Sequence, residues 1–128
     1  MNGIWRLQIR DEFSAAHALR HYQGKCENMH GHNFTVEICV QGARLEPDTE
    51  MLIDFKELKN ILKNILNDLD HRILNETSPF DKINPTSENL ARYIFRAFAK
   101  ALVQDSPARI VSSTVWEKPG QCATYMEE

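Results

Sequence analysis

Cysteine is scarce in this chain, and its spacing excludes the roles that cysteine-rich sequences have. Cys26, Cys39 and Cys122 form an odd set with no close pair and no Cys-x-x-Cys motif. A disulfide scaffold and a cysteine-rich zinc ribbon are therefore both excluded. At least one thiol stays free, and a free thiol in a reducing compartment is usually a small buried side chain unless its position gives it chemistry.

Long apolar runs and an excess of positive charge are also missing. No segment approaches the roughly 18 apolar residues that a membrane helix needs, and the N-terminus lacks the basic region and apolar core of a signal peptide. The 15 lysines and arginines are balanced by 18 aspartates and glutamates, which argues against nucleic-acid binding through bulk charge. The sequence therefore predicts a cytoplasmic protein with neither a nucleic-acid nor a membrane partner.

Length and patterning predict a single α+β domain over residues 1–128. The pattern predicts these elements: strands over 4–18, 32–40, 109–118 and 122–126, and helices that begin at Asp54 and near Thr86 or Ser87. The stretch from 70 to 85 contains two prolines and is expected to be irregular. The ββααββ order predicts an antiparallel four-stranded sheet packed on two helices. Its edge strands would stay uncovered in a monomer, so we expect copies of the chain to associate.

Histidines are concentrated where the first two strands approach each other. In the segment Cys-Glu-Asn-Met-His-Gly-His-Asn, His30 and His32 are two residues apart, so both imidazoles point to one side of an extended chain. Pairing of the two strands would bring His17 alongside. Three neutral imidazoles suit Zn²⁺, and a tetrahedral ion with three protein ligands keeps one position open for chemistry. Spacing alone leaves open that these histidines are ordinary surface or core residues.

Glu117 stands out in the strand over 109–118. Strict alternation places it on one face with Val111 and Val115, and Ile110 and Trp116 on the other. Burial of an unpaired carboxylate on such a face would cost several kcal/mol. The pattern therefore indicates either a carboxylate that binds a ligand or a solvent-exposed strand end.

Several blocks, in order along nearly the whole chain, resemble the 6-pyruvoyltetrahydropterin synthase family, including its QueD-type 6-carboxytetrahydropterin synthases. These blocks are Phe13–His17, Cys26–His32 with its Cys-x-x-x-His-Gly-His motif, Ile53–Phe55, Leu69–His71 with Leu74–Asn75, Asn84–Leu90 and the late Glu117. Their order makes the resemblance far more specific than any single block would.

The resemblance implies a set of site residues: zinc ligands at His17, His30 and His32, a catalytic thiol at Cys26 assisted by Asp70 and His71, and pterin-binding residues at Glu117, Thr86 and Ser87. Thr86 and Ser87 are also good helix caps, which is the structural alternative for both. The structural alternative for Asp70 and His71 is that they form the solvent-exposed C-terminal end of a helix. Arg20 and Lys25 are candidate contacts for a phosphate group, and nothing in the sequence singles out either one.

The implied reaction converts 7,8-dihydroneopterin triphosphate to 6-carboxy-5,6,7,8-tetrahydropterin, with loss of acetaldehyde and triphosphate, in queuosine and deazapurine biosynthesis. A 6-pyruvoyl product is one alternative. Glu27 directly follows Cys26, as in a subgroup whose cleavage gives 6-hydroxymethyl-7,8-dihydropterin for folate synthesis. Glu27 is a solvated loop charge in the structural alternative. A non-catalytic pterin-binding module and a zinc hydrolase are the remaining alternatives.

The resemblance also implies an assembly, known as the tunnelling fold. In that family the antiparallel sheets of several subunits join into a barrel, with active sites at the subunit interfaces. We therefore expect a homo-oligomer, a hexamer or a tetramer, in which Asp70 and His71 act on a neighbour's Cys26.

Overall fold

Two long antiparallel strands form the centre of the sheet in the computed structural model, which describes residues 3–128. β1 (Trp5–His17) pairs with β2 (His30–Gly42) along their whole length, and His17 lies opposite His30. Successive side chains of a strand point to opposite faces of the sheet, so every second side chain packs against the helices. The inward residues of the two strands are the apolar ones that the pattern predicts: Ile9, Phe13, Ala15, Phe34, Val36, Ile38 and Val40.

The last two strands extend the sheet beyond β2. β4 (Arg109–Lys118) pairs antiparallel with β2, and β5 (Gln121–Tyr125) pairs antiparallel with β4. The register of β4 shifts opposite Cys39 and Val40, because one extra residue is accommodated there as a bulge. Ile110 consequently lies in the core with Val115, and the expectation that these two side chains occupy opposite faces is wrong.

Two amphipathic helices cover one face of the sheet. α1 (Phe55–Asn67) begins after Asp54, whose carboxylate accepts a hydrogen bond from Lys56 N at 2.8 Å, and α2 (Ser87–Ala101) begins after Thr86. Loss of such a cap costs about 1 kcal/mol. Within residues 3–128, neither helix is long and apolar enough to cross a bilayer. The helices bury these side chains against the sheet: Leu58, Leu62, Leu66, Leu90, Ala91, Ile94, Phe95 and Phe98.

The sheet has five strands, and the prediction of four is wrong. β3 (Arg72–Ile73) pairs in parallel with β1, and the strand order is β3-β1-β2-β4-β5. Two residues are too few to show an alternating pattern. Tertiary hydrogen bonds hold this segment instead, because His71 N donates to Ser14 O at 2.6 Å and Ser14 N donates to Asp70 Oδ1 at 2.8 Å. The predicted two-layer arrangement of two helices on a mostly antiparallel sheet is confirmed.

Candidate metal centre and active site

The pairing of β1 with β2 brings three histidines to one point. His17 lies opposite His30, and Ala15 lies opposite His32, so the three imidazoles project from the same side of the sheet. The ring centroids are 4.6 Å apart for His17 and His30, and 4.7 Å apart for His30 and His32. One ring nitrogen from each residue lies within 4.8 Å of the other two. The three residues singled out by spacing therefore form one cluster.

Backbone carbonyls orient two of the three rings. His17 Nδ1 lies 2.7 Å from Pro85 O, and His30 Nδ1 lies 2.7 Å from Asn28 O. A carbonyl oxygen only accepts hydrogen bonds, so each Nδ1 carries the proton and each Nε2 keeps a free lone pair. His17 Nε2 is buried without a hydrogen-bond partner among the described residues. Such an atom is rare unless an ion or water satisfies it, so the cluster fits a metal ion.

Local electrostatics favour the neutral form of two of these imidazoles, His17 and His32. Burial lowers the pKa of His17, and the neighbouring His30 and His32 lower it further against the opposing effects of Pro85 O and Glu117. Burial is also the main cause of the lowered pKa of His32. Neutral imidazole is the form that binds a metal. His17 and His32 are therefore held in the form that binds a cation.

The carboxylate of Glu117 faces the histidine cluster. Its Oε2 lies 3.8 Å from His17 Nε2 and 3.9 Å from His32 Nε2, which is too long for hydrogen bonds. Its Oε1 accepts a hydrogen bond from Gln121 Nε2 at 2.6 Å. A register shift in the pairing of β4 with β5 leaves Glu117 outside the ladder. Only 18% of the side chain is exposed, so the alternative of a solvent-exposed strand end does not describe this residue.

Cys26 lies on the connection between the two strands that carry the histidines. It occupies a short 3-10 turn, Lys25–Glu27, and is half-buried, whereas Glu27 is exposed. Leu19 N donates to Cys26 O at 2.8 Å, which ties the turn to the chain just after His17. The other two cysteines lie in β2 and β5, so position distinguishes Cys26 from both.

Asp70 and His71 lie side by side at the β3 edge of the sheet. Asp70 Oδ2 lies 3.0 Å from His71 Nδ1, and 82% of the His71 side chain is exposed. The N–H of Ser14 is the main cause of the lowered pKa of Asp70, and the His71 side chain adds to it. His71 has a φ of 58°, a left-handed conformation that is uncommon for residues other than glycine. The pair therefore lies in a turn, and it presents its imidazole to solvent.

A groove lies beside His71 at the β3 edge of the sheet. It has a volume of about 460 Å³, and its walls include His32 and Asn33 from β2, Ser14 from β1, and His71. Gly31 also lines it, and a Cβ at that position would lie 3.8 Å from the nearest backbone oxygen. Of the three clustered histidines, only His32 contributes to this lining, and the neighbouring wall positions Ser14 and Asn33 alternate to the sheet face opposite the imidazoles.

Thr86 and Ser87 lie at the start of α2. The Thr86 hydroxyl accepts a hydrogen bond from Asn89 N at 3.1 Å, which is the capping role that its residue type favours. Ser87 is the first residue of the helix. Both directly follow Pro85, whose carbonyl orients His17, so they lie close in sequence to the cluster. A contact of either residue with substrate stays a prediction.

Sequence reasoning missed the groups that hold the site together. The acceptor on Pro85 is a backbone carbonyl, which has no sequence signature. Gln121 belongs to no recognisable motif, and its only signal is its position just after a Pro-Gly turn. Arg20 donates to three backbone carbonyls of the loop that follows β3, and its contact with a phosphate group stays a prediction.

Comparison with known proteins identifies the family. The profile of 6-pyruvoyl tetrahydropterin synthase matches residues 6–128. The chain belongs to the 6-pyruvoyl tetrahydropterin synthase family. Tetrahydropterin synthases are lyases, so the protein is an enzyme of this class. The resemblance inferred from the ordered motifs is confirmed.

Individual relatives differ in the activity that they are named for. The chain is 37% identical over 102 residues to the 6-carboxy-5,6,7,8-tetrahydropterin synthase of Synechocystis, covering 77% of this chain and 78% of that protein. It is 35% identical over 112 residues to the dihydroneopterin monophosphate aldolase of Pyrococcus furiosus, covering 88% and 89%. The structure of the 6-pyruvoyl tetrahydropterin synthase of Caenorhabditis elegans matches with a TM-score of 0.86 at 29% identity, covering 98% and 97%. Family membership alone therefore does not decide the product.

Proposed function

We propose that the protein is a zinc-dependent lyase that converts 7,8-dihydroneopterin triphosphate to 6-carboxy-5,6,7,8-tetrahydropterin. The reaction releases acetaldehyde and triphosphate. Its proposed role is in the biosynthesis of queuosine and related deazapurines. The observation that carries the proposal is the cluster of three imidazoles, in which His17 Nε2 is buried, has no hydrogen-bond partner among residues 3–128 and faces Glu117. The name of the Synechocystis relative supports this choice of product.

The metal would be held by His17, His30 and His32. Bound there, Zn²⁺ would supply Lewis-acid stabilisation of negative charge on the oxygens of the substrate side chain. Two of the rings are already oriented with Nε2 available, because their Nδ1 atoms bond to backbone carbonyls. The protein therefore bears little cost of reorganisation when the ion binds.

Proton transfer is assigned to side chains of the protein itself. A base must remove a proton from a side-chain carbon of the substrate, and a thiolate at Cys26 or a neutral imidazole at His71 can accept it. Asp70 Oδ2 lies 3.0 Å from His71 Nδ1, so the carboxylate would favour a proton on that nitrogen and leave Nε2 free for exchange. The exposed position of this imidazole suits contact with a bound ligand.

Glu117 is proposed to bind the pterin ring. A pterin presents two adjacent N–H donors, and a carboxylate can accept both in one plane, as it does from arginine. The Gln121 amide restrains the carboxylate from the outer side. Thr86 and Ser87, at the start of α2, are proposed to line the same pocket.

The active form is proposed to be a cytoplasmic homo-oligomer, a hexamer or a tetramer, in which neighbouring sheets join into a barrel. Two features support association. β3 and β5 each have one neighbouring strand in the sheet of residues 3–128, and Ile73 on β3 is 42% exposed. His71 is 82% exposed, so it is available to complete a site with Cys26 of an adjacent subunit. No nucleic-acid or membrane partner is proposed.

A second product is favoured by Glu27. This carboxylate is exposed directly beside Cys26, and the Pyrococcus relative is named an aldolase. Glu27 as the base would support cleavage of the side chain to 6-hydroxymethyl-7,8-dihydropterin, for folate synthesis. The Caenorhabditis relative gives weaker support for a 6-pyruvoyl product.

One assay separates these products. Zinc-loaded protein is incubated with 7,8-dihydroneopterin triphosphate, and the products are identified by mass spectrometry. We expect the 6-carboxy product together with acetaldehyde. No consumption of substrate by fully loaded protein would refute the proposal, and a 6-hydroxymethyl or 6-pyruvoyl product would select an alternative.

Single variants then identify the base. We expect Cys26→Ala to abolish formation of the carboxy product and Glu27→Ala to preserve it. Cys122→Ala is the matched control, since it removes an exposed thiol from β5. A non-catalytic binding module or a zinc hydrolase would be insensitive to the loss of Cys26.

A further inference from the structure

Two asparagine side chains continue the edge of β1 beyond its last residue, His17. Ala18 N donates to Asn75 Oδ1 at 2.8 Å, and Asn75 Nδ2 donates to Ala18 O at 2.9 Å. Two residues later, Arg20 N donates to Asn84 Oδ1 at 2.9 Å, and Asn84 Nδ2 donates to Arg20 O at 3.0 Å. Each amide thus supplies the donor and acceptor that a neighbouring strand would supply. We call these two pairs the amide ladder.

The amide ladder fastens the loop between β3 and α2 to the end of β1. The Arg20 guanidinium adds to this attachment, because it donates to Ile83 O at 3.0 Å and to Phe80 O at 2.9 Å. Asn84 is also bonded on its other side, where its carbonyl accepts from Asn89 Nδ2 at 2.8 Å. Asn84 therefore joins the end of β1 to the first turn of α2.

We infer that Asn84 is a positioning residue for the metal ligand His17, an inference that rests on the proposed function because it presumes a metal at this site. The residue after Asn84 is Pro85, whose carbonyl accepts from His17 Nδ1 at 2.7 Å. Backbone and hydrogen bonds therefore form a closed path, which we call the circuit. It runs from His17 along the backbone to Arg20, through the Asn84 amide to Pro85, and from the Pro85 carbonyl back to the His17 ring. This circuit sets the rotation and tautomer of the ring and points Nε2 at the other two histidines.

The chemistry of the circuit specifies asparagine at this position. Arg20 presents one backbone donor and one backbone acceptor, and the side chain facing it must offer the complementary pair from a short planar group. An aspartate could accept from Arg20 N but could not donate to Arg20 O. An alanine could do neither and would release Pro85 from the end of β1.

The inference is tested by measuring zinc affinity in competition with a chelator. Mutation of a group that hydrogen-bonds a metal-binding histidine typically weakens metal binding by about 10- to 100-fold. Asn84→Ala keeps the Pro85 carbonyl but frees it from the end of β1, so we expect a loss at the lower end of this range, about tenfold. Asp54→Ala is the matched control. It removes the cap of α1, lies outside the circuit, and should leave the zinc dissociation constant unchanged. If Asn84→Ala does not fold, Asn84→Asp is measured, with a smaller loss of affinity expected.

A second measurement addresses His17 without metal. Nitrogen-15 NMR of the imidazoles should show His17 as the Nδ1–H tautomer in the wild type and as a mixture of tautomers in the Asn84 variant. The inference is overturned if the Asn84 variant binds zinc with the wild-type dissociation constant and its His17 remains the Nδ1–H tautomer. Failure of the wild-type protein to bind zinc would overturn the proposed function instead, and the tautomer would still decide whether Asn84 positions His17.

Discussion

Gln121 donates its amide N–H to Oε1 of Glu117 at 2.6 Å, across the turn that joins β4 to β5. The other oxygen of the carboxylate faces the histidine cluster. The position of Glu117 is therefore restrained by a residue on the next strand, before any ligand binds. A carboxylate that is held in place loses less conformational freedom when a planar ligand binds.

Replacement of Gln121 should weaken pterin binding more than it slows the chemistry. A hydrogen bond to a charged group contributes about 1.5–3 kcal/mol, and the lower figure corresponds to roughly tenfold in affinity. We expect Gln121→Ala to raise KM and the pterin dissociation constant by about this factor, with kcat little changed. Fluorescence titration with a pterin measures the binding. Gln104→Ala, at another exposed glutamine, is the control, and an equal dissociation constant in both variants would contradict the prediction.

The acid stability of the fold should depend on Asp70. Its pKa is lowered from the ordinary value of 3.8, chiefly by the N–H of Ser14, so the folded state binds the proton less tightly than the unfolded state. The stabilising contribution of the carboxylate is thus present above pH 3.8 and is lost as the pH falls through the lower, folded-state pKa.

Denaturant unfolding at several pH values checks this dependence. Wild-type protein should be more stable than Asp70→Asn at neutral pH, and the difference should shrink as the pH falls below 3.8. Asp105→Asn serves as a control at an exposed aspartate outside the pair. A difference between wild type and Asp70→Asn that stays constant down to the acid limit would show that ionisation of Asp70 does not stabilise the fold.

The long strands and helices could be predicted from the sequence, and so could the grouping of His17, His30 and His32. β1, β2, α1 and α2 each repeat their apolar period several times, and His30 and His32 follow from a spacing of two in a strand. β3 could not be predicted, because its two residues pair only where Ser14 bonds to Asp70 and His71. The bulge in β4 could not be predicted either, and it breaks the regular alternation of faces on which the prediction for Ile110 and Val115 is based.

The supporting groups of the site could not be predicted, for a different physical reason. The acceptor for His17 is the carbonyl of Pro85, a group that every residue has. Asn75 and Asn84 lie in family motifs, but their partners are backbone atoms of Ala18 and Arg20, more than 50 residues away in sequence. Contacts of this kind follow from the path of the loop, and no local pattern records that path.

Sharing of the active site between subunits predicts complementation. Cys26→Ala and His71→Ala should each be inactive alone, because each lacks one of the proton-transfer groups. If the two groups of a site come from different subunits, mixed oligomers made from equal amounts of the variants should recover about one quarter of the wild-type activity. The variants are mixed under conditions that allow subunit exchange and are then assayed. No recovery in oligomers shown to be mixed, or sedimentation of active protein as a monomer only, would contradict the shared site.

Removal of zinc should destabilise the protein without unfolding it. The core formed by the sheet and the two helices is extensive and includes fully buried Phe34, Leu62 and Phe98, so we expect the fold to form without an ion. Binding to the native state adds stability by mass action, about 2.7 kcal/mol at a free metal concentration 100 times the dissociation constant. We therefore expect chelated protein to keep its circular dichroism spectrum at 25 °C and to melt at a lower temperature.

The same experiment discriminates an open, catalytic site from a structural one. A structural zinc contributes folding energy outright, and small domains built around one unfold when the ion is removed. Re-addition of Zn²⁺ to chelated wild-type protein should restore the melting temperature, whereas His30→Ala should respond weakly, because only two of the three ligands remain. Complete unfolding of the chelated wild type would favour the non-catalytic binding module, since the ion would then hold the fold together.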